Sequence, residues 1–231
     1  MKPTTALKPL AFALAALMAV AAQAGDYNPY KPQPTSSAAT VNDGQSNHGN
    51  VVLNDKTEND ASVNESFRNY SGIGGSNTAA GDNNQGKNDV AITAGDADFV
   101  FATVNSAQAN SGNLVVNNAT QNDASVNDSF NNGSGIGQSN VAAGTSNQGS
   151  NSVAINSGDG KGGASTINAA QEVTGNLTLN LSSTGHGWKT TPVRNDASVN
   201  NSFNSSSGIT ASNVAAGSNN QGQNNVAITR F

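Results

Sequence analysis

A block of 34 residues occurs three times in this chain, at 59–92, 122–155 and 195–228, and the copies align without a gap. Each opens Asn-Asp-Ala-Ser-Val-Asn-x-Ser-Phe and passes through Ser-Gly-Ile and Ser-Asn-x-Ala-Ala-Gly. Each closes on Asn-Gln-Gly-x-Asn-x-Val-Ala-Ile, so that 23 of the 34 positions are identical in all three. Such self-similarity predicts like units stacked on one another, because one unit cannot bury a core by itself. The repeat reaches further back. Ala39-Thr40-Val41-Asn42 recurs at Ala102 to Asn105, and again as Ser165 to Asn168. Gln45, Gln108 and Gln171 keep the same step, as do the Gly-Asn-x-x-x-Asn segments at 49–54, 112–117 and 175–180. The units are therefore 39–92, 102–155 and 165–228, joined by connectors at 93–101 and 156–164 and followed by a tail at 229–231. The third unit carries ten extra residues around Gly185-His186-Gly187-Trp188.

Within a block the pattern reads as short strands broken by glycines. Ala61, Val63, Glu65 and Phe67 share one face by a period of two, with Ser62, Asn64 and Ser66 on the other. Gly72 to Gly75 and Gly81 to Gly86 read as turns, and Asn88, Val90 and Ile92 alternate again. No stretch shows a helical period. Stacking at about 4.8 Å per layer explains which letters recur. A column of Asn or Gln can bond along itself, a column of Val, Ile or Phe buries its own surface, and a column of Glu or Lys repels itself. Several charged positions are accordingly variable: Glu65 aligns with Asp128 and Asn201, Arg68 with Asn131 and Asn204, Lys87 with Ser150 and Gln223. The predicted ladder positions are Val63, Asn64, Phe67, Ile73, Asn77, Gln85, Asn88, Val90 and Ile92 in the first block. In the second they are Val126, Asn127, Phe130, Ile136, Asn140, Gln148, Asn151, Val153 and Ile155. In the third they are Val199, Asn200, Phe203, Ile209, Asn213, Gln221, Asn224, Val226 and Ile228. The fold expected is all-β: a repeat-built β-solenoid of cross-β type, largely disordered as a monomer before assembly because large apolar side chains are few.

The N-terminus reads as a secretory signal over residues 1–24. Lys2 and Lys8 form its basic part and Leu10 to Ala22 its apolar part. Ala22-Gln23-Ala24 is a small-x-small cleavage site, which makes Gly25 the first mature residue. Residues 25–38 form a proline-rich leader with Pro29, Pro32 and Pro34. Removing Lys2 and Lys8 leaves 8 basic against 15 acidic residues, a net of −7, which argues against nucleic acid as a partner. With no cysteine there is neither a disulfide nor a thiolate metal site.

The chemistry of an active site is not legible. His48 and His186 stand alone among glycines and read as solvated. Gly158 to Gly163 has the wrong spacing for a phosphate loop and no strand-to-helix frame. The Asp and Asn content allows weak surface binding of calcium, but the Gly-Gly-x-Gly-x-Asp spacing of calcium-binding repeats is missing. Neither cofactor nor metal is expected, and no enzyme activity.

The three blocks, with Gly-Ile-Gly-x-Ser-Asn-Val-Ala-Ala-Gly-x-x-Asn-Gln-Gly-x-Asn-x-Val-Ala-Ile as at Gly135 to Ile155, and the signal from Met1-Lys2-Pro3-Thr4 to Ala24, resemble the fibre subunits of the Fap functional amyloid system of Pseudomonas and relatives. The resemblance spans nearly the whole chain. Curli subunits share a related repeat, but a shorter one packed without linkers. The resemblance implies self-association into extracellular amyloid fibres on the cell surface and in the biofilm matrix. It also implies co-assembly with a homologous fibre subunit, an outer-membrane export pore and periplasmic chaperone-like factors. The family's major subunit carries Cys-x-x-Cys near its C-terminus. This chain has none and stops after the third block, which favours the minor, nucleating subunit. A different class of function is a soluble secreted β-solenoid that binds ice or glycans. It would need a flat face with a Thr-x-Thr or aromatic column, and the sequence shows none.

Overall fold

The computed structural model describes residues 35–159, 161–184 and 190–230. The expected signal with Ala24 and Gly25, leader residues 25–34, the residues around Trp188 and Phe231 lie outside the described residues.

Each unit contributes five strands and forms one rung. The first holds β1 (Ser36–His48), β2 (Val51–Asp55), β3 (Glu58–Asn64), β4 (Ser71–Ala80) and β5 (Gln85–Ala94). The second holds β6 (Phe99–Ser111), β7 (Leu114–Asn118), β8 (Gln121–Asn127), β9 (Ser134–Thr145) and β10 (Gln148–Ser157). The third holds β11 (Gly162–Thr174), β12 (Leu177–Leu181), β15 (Arg194–Asn200), β16 (Ser207–Ser218) and β17 (Gln221–Arg230). Its ten extra residues depart through a two-residue antiparallel pair, β13 (Ser183–Thr184) and β14 (Thr190–Thr191). Corresponding strands of the three rungs pair in parallel, giving five three-stranded sheets in the orders β1-β6-β11, β2-β7-β12, β3-β8-β15, β4-β9-β16 and β5-β10-β17. The register sets each residue on its repeat equivalent, for example Val63 on Val126 and Val126 on Val199. The strands overrun the connectors: β5 continues to Ala94 and β6 begins at Phe99, so 95–98 links the first rung to the second.

Within a rung the chain doubles back, so four of the sheets lie face to face. The β3 sheet packs on the β4 sheet, the β4 sheet on the β5 sheet, and the β5 sheet on the β1 sheet. The β2 sheet closes the edge between β1 and β3. Two faces of β9 and β10 are therefore covered, and nearly every residue of both strands is buried. Continuous burial appears where parallel strands are packed on both sides.

The layers are staggered. Strand β5 packs on both β1 and β6, β10 on both β6 and β11, and β17 on β11. Likewise β3 packs on β4 and β9, β8 on β9 and β16, and β15 on β16. The β3 and β5 sheets thus sit displaced toward the third-rung end relative to the β1 and β4 sheets.

Two local expectations fail. The face from Ala61 to Phe67 does not run through: β3 stops at Asn64, and Glu65, Phe67 and Asn69 adopt φ of 50°, 54° and 54°. The alternating left-handed residues turn the chain from β3 into β4, leaving Glu65 exposed. The same three positions repeat at 128, 130 and 132 and at 201, 203 and 205. Gly72 to Gly75 is no turn but lies inside β4. A bare backbone is needed there for packing, since a Cβ on Gly74 would sit 3.0 Å from the Phe67 ring. The turn at 81–84 does form, and Gly81 takes φ 92° with its Cβ position 2.2 Å from the Gly144 carbonyl oxygen, which admits no side chain.

Among the described residues, buried polar side chains outnumber buried apolar ones by 27 to 18. The apolar part is a cluster of Ala61, Val63, Ala124, Val126, Phe130, Val141 and Ala143 between the β3 and β4 sheets, with a smaller one around Ala91, Ala102, Val104 and Ala154. The remaining interior is mostly amide and hydroxyl, with the charged Lys87 and Asp89 in the first rung. Such a core is tolerable because most of the buried amides find partners in their own rung or in the rung above or below.

Candidate assembly interface

The Ser-Asn-x-Ala-Ala-Gly and Asn-Gln-Gly-x-Asn segments face each other across the turn at 81–84. Asn77, Asn140 and Asn213 form one column, and Asn88, Asn151 and Asn224 a second beside it. Asn140 Nδ2 donates to Asn77 Oδ1 at 2.9 Å and Asn213 Nδ2 to Asn140 Oδ1 at 2.9 Å. Asn151 Nδ2 donates to Asn88 Oδ1 at 3.0 Å and Asn224 Nδ2 to Asn151 Oδ1 at 2.9 Å. Cross-bonds tie the columns, from Asn88 to Asn77 at 3.0 Å, from Asn151 to Asn140 at 3.1 Å and from Asn224 to Asn213 at 3.0 Å. The invariant glycine of Asn-Gln-Gly seats the opposing amide: a Cβ on Gly149 would lie 2.8 Å from Asn140 Oδ1, and one on Gly222 2.7 Å from Asn213 Oδ1. The first Asn of the same motif locks the turn, with Asn147 Nδ2 donating to Ala143 O at 3.1 Å and Gly217 O at 3.0 Å.

Phe67, Phe130 and Phe203 form a stacked aromatic column with ring centroids 4.6 and 5.1 Å apart. Tyr70 meets Phe130 edge-on at 6.1 Å. It reaches over Gly133, where a Cβ would come within 1.8 Å of its ring, so the large residue of one rung is matched by a glycine in the next.

Charge is buried in the first rung. Lys87 and Asp89 face the β1 sheet and are 2% and 6% exposed. Lys87 Nζ donates to the Ala107 carbonyl at 3.1 Å, and burial lowers its pKa against the opposing pull of Asp43 and Asp89. Burial likewise raises the pKa of Asp89, opposed by Lys87. The same slots hold Ser150 and Ser152 in the second rung and Gln223 and Asn225 in the third.

The two ends of the stack differ in consequence of the stagger. In the first rung Val63 is 6% exposed, and Ala61, Lys87 and Asp89 are buried. In the third, Val199 is 48% exposed, and Ala197, Gln223 and Asn225, the equivalents of the other three, are exposed too. At the opposite end Ile73 is 60% exposed and Asn77 is open, while Ile136 is 5% exposed and Asn140 is buried. One end thus offers the uncovered inner faces of β15 and β17, the other those of β1 and β4. These are the surfaces that cover one another elsewhere in the stack. The ladders carry polarity too. The Asn77 and Asn88 columns always donate from the later rung to the earlier one. So do Asn168 to Asn105 to Asn42, at 2.9 and 2.7 Å, and Asn200 to Asn127 to Asn64, both at 2.9 Å. The Asn77 amide is thereby left without an acceptor at the first-rung end, whereas the columns that begin at Asn54 and Asn59 donate the other way, from the earlier rung to the later.

The sequence profile of the functional amyloid protein FapB/FapC family matches residues 38–230. The chain belongs to this family. It is 41% identical over 199 residues to the functional amyloid subunit FapC of Pseudomonas aeruginosa strain PAO1, a match covering 81% of this chain and 58% of that relative. The chain thus spans little more than half the length of the curated relative it matches. No solved structure gives a significant match.

On the Fap fold the nine sets of predicted ladder positions all stand on their repeat equivalents. For Phe67, Phe130 and Phe203 the column is shown by ring stacking rather than strand pairing. Gln148 and Gln221 bond down the Gln85 column at 2.8 and 3.1 Å. The middle members Val126, Phe130, Ile136, Asn140, Gln148, Asn151 and Val153 are buried, whereas Ile73, Ile92, Val199 and Ile228 stay exposed in the single subunit. Further ladders escaped the sequence reading: Asn54–Asn117–Asn180 at 3.0 and 3.0 Å, and Asn59–Asn122–Asn195 at 2.8 and 2.7 Å. Their signal was present, since these are identical residues at equivalent positions of the three units. His48 is exposed and bonds Ser111 Oγ at 2.9 Å, and Lys161 of the glycine-rich connector pairs with Asp98 at 2.8 Å.

Proposed function

We propose that this chain is a secreted structural subunit of an extracellular functional amyloid fibre of the biofilm matrix, each copy adding three rungs by head-to-tail stacking. The observation that carries the reading is the complementary stagger of the two ends. The protruding β15 and β17 of one copy fit against β4 and β1 of the next, in the packing already used between rungs by β3 with β9 and by β5 with β6. A heterologous contact that repeats without closing makes a filament. The parallel, in-register pairing kept through all three rungs favours this arrangement over a two-fold one, which would set the end strands antiparallel. Export through an outer-membrane pore, periplasmic chaperone-like factors and co-assembly with a homologous subunit belong to the same proposal. So does disorder of the monomer before assembly, which the polar interior supports: an isolated chain has little apolar surface to bury. A minor or nucleating role within the fibre belongs to the proposal as well.

The mature protein from Gly25 on, left quiescent at neutral pH, tests this. The expected result is a disordered circular dichroism spectrum at the start, followed by thioflavin-positive fibres with a reflection at about 4.7–4.8 Å. Substituting Val199→Asp at the third-rung end, or Ile73→Asp at the first, should each block growth. A stable folded monomer with cooperative melting, or unimpaired growth of both variants, would refute the proposal.

A further inference from the structure

The outward face of the β2 sheet is aliphatic. Val51 and Leu53 are 76% and 74% exposed, and Leu177, Leu179 and Leu181 are 55%, 45% and 49% exposed. These are five of the nine large apolar side chains exposed among the described residues, gathered on one short three-stranded sheet. They stack in register with Leu114 and Val116 between them, so the face is two unbroken columns of Val and Leu. Val199 and Ile73 belong to the staggered ends and are covered when copies stack. The β2 face points sideways and is not. Stacking instead lengthens it, since each added copy continues both columns.

We infer that this stripe is a lateral pairing surface, and that its partner is the same stripe on a second filament of this chain. The inference rests on the axial stacking proposed above and adds a contact at right angles to it. Area decides the occupant. A five-residue strand about 16 Å long, over three rungs about 14 Å high, presents only about 230 Å². A stable interface needs roughly 800 Å² on each side. One subunit therefore cannot dimerise through this face, and about four stacked copies can. Two such faces meeting at about 10 Å, the ordinary spacing of packed sheets, form a dry aliphatic seam. Charge points the same way. The outward positions of the sheet hold no Lys or Arg to attract an anionic membrane. Their one acid, Asp55, accepts a hydrogen bond from Asn118 at 2.7 Å and recurs once per three rungs in a stack.

The test compares fibres of the mature wild-type chain with fibres of the double variant Leu53→Ser, Leu179→Ser, whose changes point outward and leave every ladder intact. Mass per length from dark-field scanning transmission microscopy is read on both. One chain occupies three rungs, or about 14 Å of filament. Expected are two chains per three-rung rise of wild-type fibre and one for the variant, a twofold drop, with thioflavin yield unchanged. A wild-type value of one chain overturns the inference whatever the variant does, and covers the case in which the chain's own residues 25–34 lie over the stripe. Variant fibres that still carry two chains overturn it as well. Failure of the wild type to give any cross-β fibre would refute the stacking proposal, and the pairing with it.

Discussion

Replacing Asn140 by Ala and, separately, Asn77 by Ala measures whether a fibre has any end rungs inside it. Asn140 Nδ2 has acceptors in Asn77 Oδ1 and Asn88 Oδ1, both at 2.9 Å, and in Lys87 O at 2.6 Å. Its Oδ1 accepts from Asn151 at 3.1 Å and Asn213 at 2.9 Å. Two N–H donors and two lone pairs are thus in use, and at about 1 kcal/mol net for each bond the substitution costs about 4 kcal/mol. In a lone subunit Asn77 uses only its Oδ1, accepting from Asn88 and Asn140, so its removal costs about 2 kcal/mol. In a head-to-tail fibre the Asn77 amide also donates into the third rung of the next copy, and its removal rises to the same value as that of Asn140. The assay is the concentration of soluble chain in equilibrium with fibres, which rises tenfold for every loss of about 1.4 kcal/mol. Equivalent rungs predict that the two variants agree within about threefold. If the first rung stays an edge, the missing contribution of about 2 kcal/mol leaves Asn77→Ala roughly thirtyfold less soluble than Asn140→Ala. That result would refute in-register stacking of the ends.

Gln138 is fully buried with neither amide atom bonded, and its equivalents are Gly75 and Ala211, so Gln138→Ala should raise the guanidinium midpoint of fibre dissociation by about 1–3 kcal/mol equivalent. Phe130→Ala opens a void between two stacked rings and should destabilise fibres by about 3–5 kcal/mol on the same scale, with Phe203→Ala equal to it if copies stack in register. Acid should act in two opposite stages. Burial raises the pKa of Asp89, so its deprotonation weakens the fold as pH rises through that raised value, and acidification from neutrality should first lower the soluble concentration. The hydrogen bond from Lys161, with the Thr35 N–H, holds Asp98 below the ordinary range, so its contribution persists until pH falls through that lower value. Asp89→Asn should abolish the first stage and leave the second; a first stage that survives the substitution would show that another group is responsible.

The columns were legible because a parallel in-register stack puts residue on repeat equivalent, and a constant step along the chain can be counted without knowing any geometry. The rule against columns of like charge held only in part, since Asp60, Asp123 and Asp196 stack in register on an exposed face. What one copy of the repeat cannot say is which way a side chain faces once the chain doubles back. Lys87 reads only as a position where the charge varies between copies, yet it lies between two sheets because β5 is covered on both faces. The left-handed residues at 65, 67 and 69 were hidden for a related reason. Phe67 is a strong strand former, and only the rings above it hold it in a conformation that a lone Phe rarely adopts. The stagger left no trace in any residue taken singly. It emerges from the difference between Val63 and Val199, two residues with the same neighbours in sequence and different ones in space.

The antiparallel pair β13 and β14 leaves the stack at one point of the third rung, where the first two units pass straight from β2 to β3 and from β7 to β8. In a filament this departure recurs once per copy, about every 14 Å at the strand spacing of stacked rungs. The flank of such a filament would therefore carry this strand pair at a regular interval, like the marks on a ruler. Any affinity carried by the inserted residues, however weak for one copy, would be displayed at a local density that turns single contacts into multivalent ones.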